Sequence, residues 1–297
     1  MRIRIIDAFT DRPFTGNPAA VCLLDRGARP AEGWPDEAWM RRVAAEMNLS
    51  ETAFALPRPD GDGSADWGLR WFTPTEEARL CGHATLATAH ALRSDGLIAH
   101  GWVRFATRSG VLRARPEADG SITLDLPAGL SRPAGPLPGL EAALGRTPTA
   151  VLRTEALDKS LVVFPDEHAV RNLVPDLGAV GRLPVRSVTV TAPADGPACG
   201  YDFVSRTFCP AVGIPEDPVT GAAHAALAPY WAERLGRPGV TGYQASARGG
   251  LVVCRIAGDR VLLSGRAVTV VDGTLHSEPP WIPSGTHRGE PATAPAP

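Results

Sequence analysis

No block of Lys or Arg occurs in the sequence and its formal charge is only −2, so electrostatic affinity for nucleic acid is not expected. No apolar run reaches the roughly 20 residues needed to span a membrane. The opening stretch "MRIRIIDAFT" alternates like a strand and lacks the apolar core and cleavage site of a signal peptide, which points to the cytoplasm. Five cysteines (Cys22, Cys81, Cys199, Cys209 and Cys254) contain no C-x-x-C pair, and the odd set suits free thiols in a reducing compartment. Neither they nor the seven histidines cluster at ligand spacing, so no metal site is expected. His83 and His90 lie two helical turns apart, too far for one ion. The end, "SEPPWIPSGTHRGEPATAPAP", has few groups able to bury surface and predicts a disordered tail over 276–297, with Trp281 a candidate anchor for its first residues.

What is present is 297 residues, 44% hydrophobic and 21% charged, enough for two ordinary domains or one large one. A long internal repeat organises them. "RWFTP" (70–74) returns in type as "RTFCP" (206–210). Each is followed by a glycine opening a small-residue helix, "CGHATLATAHAL" and "TGAAHAALAPYW". After each helix comes a glycine-led hairpin, "SGVLRARPEADGSITLDLP" and "GGLVVCRIAGDRVLLSGRA". "SETAFALP" (50–57) pairs with "SVTVTAP" (187–193). These matches keep one order and offsets of 136 to 140 residues. Each half also has a helical stretch: "PDEAWMRRVAAEMNL" carries Trp39, Val43 and Met47 at helical spacing, and "PDEHAVRNLVPDLGAVG" is broken by Pro175. The fold class expected is α+β, two pseudo-symmetric halves of mixed β structure wrapped around a central helix. The boundaries expected are 1–128 and 129–275. The strands are short and often adjacent, which disfavours a doubly wound parallel sheet.

Ala84, Ala87, Ala89 and Ala91 fall all around the first central helix, and a helix without a polar face is normally enclosed by protein. In the second, Pro229 removes the bond to the Ala225 carbonyl. Both helix N-termini are expected to point into a cleft between the halves, where open N–H groups favour an anion. Gly82 and Gly221 either let a ligand approach the backbone or permit close helix–strand packing.

An asymmetric substrate needs unlike groups on the two sides, so residues that break the repeat are the candidates for chemistry. Glu51 stands where the second half has Val188. It is either a partly buried acid with a raised pKa, suited to proton transfer, or an exposed acid at a loop–strand junction. His83 stands against Ala222, either as a neutral donor at a helix N-terminus or as a core histidine bonded to a carbonyl. Asp217, in "GIPEDPVTGAAH", either reaches the cleft or caps the helix, with Glu216 as its rival. Cys81 stands against Thr220, so the second sulfur of a two-thiol racemase is not at the matching place; Cys209 lies eleven residues short of it. Cys81 fits a small buried residue better than a catalyst.

The strings "DAFTDRPFTGNPAAVCLLD", "MNLSETAF", "RWFTPTEEARLCGHATLA", "RTFCPAVGIPEDPVTGAAHAALAPYW" and "GYQASARGG" resemble the PhzF-like family of phenazine-biosynthesis isomerases from residue 1 to about 275. The resemblance implies a diaminopimelate-epimerase-like fold, with the active site between two similar halves, and a homodimer. It implies a cofactor-free enzyme moving a proton along an unsaturated cyclic acid, dihydro-hydroxyanthranilate in the phenazine branch. By the same resemblance Glu51 is the acid/base, and His83 and Asp217 hold the substrate and tune the exchange. Asn17 orients one edge, and the helix starts at Gly82, Gly221 and Ala222 bind the carboxylate. Ala222 stands where phenazine enzymes carry a serine; the lost hydroxyl points away from the phenazine substrate itself. The expectation is an isomerase or epimerase of a small carboxylic acid. The alternatives are a thiol-dependent racemase using Cys81 and a non-catalytic acid-binding protein.

Overall fold

The alternating segments of the two repeats form ladders in the same order and the same directions. The computed structural model describes residues 1–25, 32–58, 63–135, 137–154 and 159–283. In the first half, Asn17–Leu23 runs antiparallel to Arg2–Ala8 and parallel to Glu51–Pro57, with Ala19 opposite Glu51. Trp67–Phe72 continues antiparallel to Glu51–Pro57 and pairs in parallel with Val103–Thr107, which leads into the hairpin strands Gly110–Pro116 and Ile122–Pro127. In the second half, Lys159–Val163 runs antiparallel to Ala150–Thr154 and parallel to Ser187–Pro193. Phe203–Cys209 follows antiparallel, then Gly239–Gln244 parallel, then Gly250–Ala257 and Arg260–Gly265. This is the α+β repeat expected from the sequence, and no doubly wound parallel sheet is formed.

The central helices are Gly82–Ser94 and Gly221–Leu235. All four alanines named above are fully buried, as an apolar helix circumference requires. Outside the sheets lie Glu37–Met47, capped by Asp36 and ended by Asn48 in the left-handed conformation, and the pair Glu167–Arg171 and Leu177–Gly181 that Pro175 separates.

The halves meet across an approximate twofold axis. Ile122–Pro127 pairs antiparallel with Arg260–Gly265, with Leu124 opposite Leu263. A Cβ on Gly82 would lie 3.4 Å from the Gly221 Cα, and the converse contact is also 3.4 Å. Both pairs share the same offset of 139 residues. The two glycines therefore serve a third purpose beyond the two expected: the helix N-termini pack directly on each other. A strand also crosses between the halves. Ala267–Thr274 of the second half pairs with Arg2–Ala8 of the first, while Arg132–Pro133 pairs with Ala150–Thr154 within the second.

Two further details follow from local chemistry. The Ala225 carbonyl that Pro229 leaves without a helical donor accepts from the Gly129 N–H at 3.0 Å, on the segment joining the halves. A Cβ at Gly129 would lie 3.0 Å from the Ala226 Cβ. Gly129→Ala is accordingly expected to lose about 1–3 kcal/mol and several degrees of Tm in a thermal melt. An unchanged midpoint would show that this contact yields freely.

At the head of the expected tail, the anchor that the sequence offered is in place. Trp281–Pro283 pairs with Glu32–Pro35, the Trp39 indole donates to Ser277 Oγ at 2.9 Å, and the Asp36 N–H donates to the Pro280 carbonyl at 2.8 Å. The half-buried Trp281 packs against the first half's outer core and supplies the anchor. The remainder, 284–297, lies outside the described residues. Among the described residues no helix is long and apolar enough to cross a membrane. All five cysteines are free thiols.

Candidate active site

The site is assembled from both halves, with Asn17, Ser50–Glu51 and Cys81–His83 from the first and Asp217–Ala222 and Gln244 from the second. The loop before Asn17 turns on Gly16, at φ +68°, where a Cβ would come within 2.2 Å of the Ala8 carbonyl oxygen. The second half holds this loop through Arg248, which donates to the Gly16 carbonyl at 2.8 Å and to the buried Asp7 carboxylate at 2.7 Å. Asn17 then emerges fully buried. Its Nδ2 donates to Asp217 Oδ1 at 2.7 Å and to the Val219 carbonyl at 2.8 Å, and lies 3.2 Å from His83 Nδ1. Its Oδ1 accepts from Ser50 Oγ at 3.2 Å. One side chain thus ties two catalytic candidates, His83 and Asp217, together across the cleft.

Glu51 opens its strand beside Ser50, with only 14% of its side chain exposed, and its Oε2 lies 3.4 Å from His83 Nε2. The exposed-acid reading therefore does not hold. Burial, and then the Asp217 charge, push its pKa up to about 8. His83 is buried at the first turn of its helix, and burial lowers its pKa to about 3. Its neighbours favour one tautomer: an amide nitrogen cannot accept, so a proton on Nδ1 would face the Asn17 NH2 at 3.2 Å as donor against donor. The proton then sits on Nε2, facing Glu51 and, at 3.4 Å, Ser50 Oγ.

Asp217 is buried, and desolvation raises its pKa against the hydrogen bonds from Thr220 and Asn17. Its Oδ2 accepts from the Thr220 hydroxyl, and neither Cys81 nor Thr220 closes its helix with a side-chain hydrogen bond. Asp217 is thus not the helix cap. Its rival, Glu216, is spent on a two-pronged ion pair with Arg206, at 2.8 and 2.9 Å. Gln244, which the sequence reading missed, fixes this turn: its Oε1 accepts from the Thr220 N–H at 2.8 Å, and its Nε2 donates to the Asp217 carbonyl at 2.6 Å. Ala222, half-buried on the first turn of the second helix, brings no polar group.

Cys81 is buried, with its sulfur 3.5 Å from His83 Nδ1. Burial and the neighbouring carboxylates hold its pKa well above that of an ordinary thiol, which disfavours the thiolate that a nucleophile or base would need. Glu51, Cys81 and His83 do place donor atoms within 4.8 Å of one another, a grouping that spacing could not show because Glu51 arrives on a separate strand. A cation there would have to displace protons from the acid and the thiol.

Beside Ser50 a cavity of about 320 Å³ opens between the halves. Pro18, Leu49, Ser50 and Thr73 form one wall, and Val212, Ile214, Pro215 and Pro218 form the other. It is mostly apolar, with a few hydroxyls, and its size suits a small acid.

Residues 6–273 match the model of a family described as phenazine biosynthesis-like protein. An uncharacterized isomerase of Pseudomonas aeruginosa is 48% identical over 271 residues, covering 91% of this chain and 97% of its own. A crystal structure of a phenazine biosynthesis protein, PhzF family, from Enterococcus faecalis superposes with a TM-score of 0.81 at 40% identity, covering 92% of this chain and 97% of that one. A hydroxyproline epimerase from Agrobacterium vitis shares the fold alone, with a TM-score of 0.57 at 13% identity over 92% of this chain and 91% of its own.

Proposed function

The chain belongs to the phenazine biosynthesis-like (PhzF) family of isomerases, and we propose that it shifts a proton on a small carboxylic acid with Glu51 as the carrier. The observation that carries this reading is a repeat-breaking carboxyl buried in the cleft, 3.4 Å from a neutral imidazole and with its pKa near 8. A pKa close to the working pH lets one group take a proton and give it back.

In the step proposed, ionised Glu51 takes the proton from a carbon next to a carboxyl or double bond. The C–H electron pair delocalises into that system as an enolate-like anion, and the resulting Glu51 acid returns the proton to another carbon. His83 donates from Nε2 toward the reacting region, and Asp217, fixed by Asn17 and Thr220, holds the opposite edge of the substrate. The helix starts at Gly82 and Gly221 stabilise the developing charge. No cofactor is needed for such a step. Ala222 leaves that wall without a hydroxyl, which favours a substrate less polar there than the phenazine precursor. The same reading makes the protein a cytoplasmic homodimer that binds neither nucleic acid nor membrane.

The test is an NMR screen of unsaturated and amino acids in D₂O, in which a substrate gains deuterium whatever its product. Tight binding of an acid with no deuterium gain would favour a binding protein instead. The pH profile is also fixed by the site. Because proton removal needs ionised Glu51, exchange should rise about tenfold per pH unit up to about pH 8 and then level off. His83, its pKa near 3, should add no limb above pH 5. A profile already flat from pH 5 upward would contradict Glu51 as the base.

A further inference from the structure

Of the 30 Lys and Arg residues in the sequence, 29 are arginine, and the single lysine is Lys159. Among the described residues the ion pairs of the long cations are made by guanidinium groups, so the position given to the one ammonium is informative. Lys159 begins the strand Lys159–Val163 and lies opposite Ser187 in the parallel ladder. In the first half the equivalent ladder sets Ala19 opposite Glu51, which puts Pro18 level with Ser50 one step earlier. Ser187 is the counterpart of Ser50, so Lys159 is the counterpart of Pro18, a residue lining the cavity next to the proton carrier. Like Glu51, it is a titratable group that only one half possesses.

The titratable groups within electrostatic reach of its ammonium are Asp217, Cys209, Arg186 and Glu51. Among the described residues no acid lies within 4.0 Å of it, and none forms a hydrogen bond with its three donors. A half-buried ammonium carries a desolvation cost, which no direct contact among the described residues offsets. Burial accordingly lowers its pKa. With Glu51 largely protonated near neutrality, Asp217 is the other carboxyl within electrostatic reach, and the ammonium retains donors for an arriving anion. An ammonium suits this position because it is compact and its three donors can rotate, whereas a guanidinium presents a wide planar fork.

We propose, building on the proton-shift reading, that Lys159 is the specificity-determining residue that anchors the anionic group of the substrate on the second-half side of the cleft, so that the enzyme takes acids in preference to their neutral amides. The alternative is a counter-charge that merely balances Asp217.

Because the chain has one lysine, the test can be made selective. Reductive methylation with ¹³C-formaldehyde keeps the charge and labels only Lys159 and the N-terminal amine. A K159Q spectrum identifies the side-chain signal by its loss. Benzoate and its neutral isostere benzamide are then titrated into the labelled protein. Benzoate should move the Lys159 signal saturably and benzamide should not. Calorimetry on unlabelled protein should show benzoate affinity at least about tenfold weaker in K159Q, with benzamide unaffected. The same benzoate shift should persist in E51Q, so a failed anchor and a failed proton carrier give different results. A Lys159 signal unmoved by benzoate into the tens of millimolar, or equal benzoate affinity in K159Q, overturns the proposal. A mere counter-charge would give that equal affinity while displacing the pH profile.

Discussion

Glu51→Gln should lower deuterium exchange into substrate by about a hundredfold to ten-thousandfold while the protein folds and binds acids as before. Glutamine is nearly isosteric and can still accept from His83 Nε2 through its carbonyl oxygen, so the cleft keeps its shape. What it lacks is a proton it can release and recover. The variant should also show a stability signature of opposite sign. Glu51 has a folded-state pKa near 8, above its unfolded value, so the folded protein holds a proton that the unfolded chain releases. Wild-type stability therefore falls as pH rises from the ordinary carboxylate range through about 8. Glu51→Gln should escape that loss and be the more stable protein at pH 9 in chemical denaturation. Full exchange activity in the variant, or parallel stability curves across that window, would count against Glu51 as a buried proton carrier.

Asn17→Ala should damage both the fold and the chemistry. Its fully buried amide satisfies Asp217 and the Val219 carbonyl from the second half and sets the Nδ1 side of His83 from the first. Alanine leaves two buried acceptors without their donor, which is expected to cost about 2–4 kcal/mol. Without that hydrogen bond the pKa of Asp217 should climb further, and His83 loses the neighbour that fixes its tautomer. Exchange should fall by at least about tenfold through misplacement of both groups. Denaturant midpoints and exchange rates on the same preparation check the two parts. An Asn17→Ala enzyme of normal stability and rate would mean that the halves do not depend on this bridge to build the site.

Much of this arrangement was legible in the sequence because a repeat constrains it twice. The ladders, the enclosed helices and the facing N-termini all follow from segments that recur at a nearly constant offset. The residues that break the repeat, Glu51 and His83, do come together with Asp217, although sequence alone left each with an alternative. Physical context removes those alternatives: Arg206 occupies Glu216, and the strand start buries Glu51. What escaped was long-range. Gln244 and Arg248 act through hydrogen bonds to segments 24 to more than 230 positions away. The mutual packing of Gly82 and Gly221 has no local signature. Trp281 carried the only hint that chain beyond 275 would fold back onto the first half, and its pairing partner Glu32–Pro35 is too short to announce itself as a strand.

The claim beneath the rest is that Glu51 keeps its proton at neutral pH inside the cleft. Carboxyl ¹³C NMR of glutamate-labelled protein tests it without any substrate, the Glu51 resonance being assigned by its absence from Glu51→Gln. A titration midpoint near pH 8 is the expected result. A midpoint near the ordinary value of about 4.3 would contradict it.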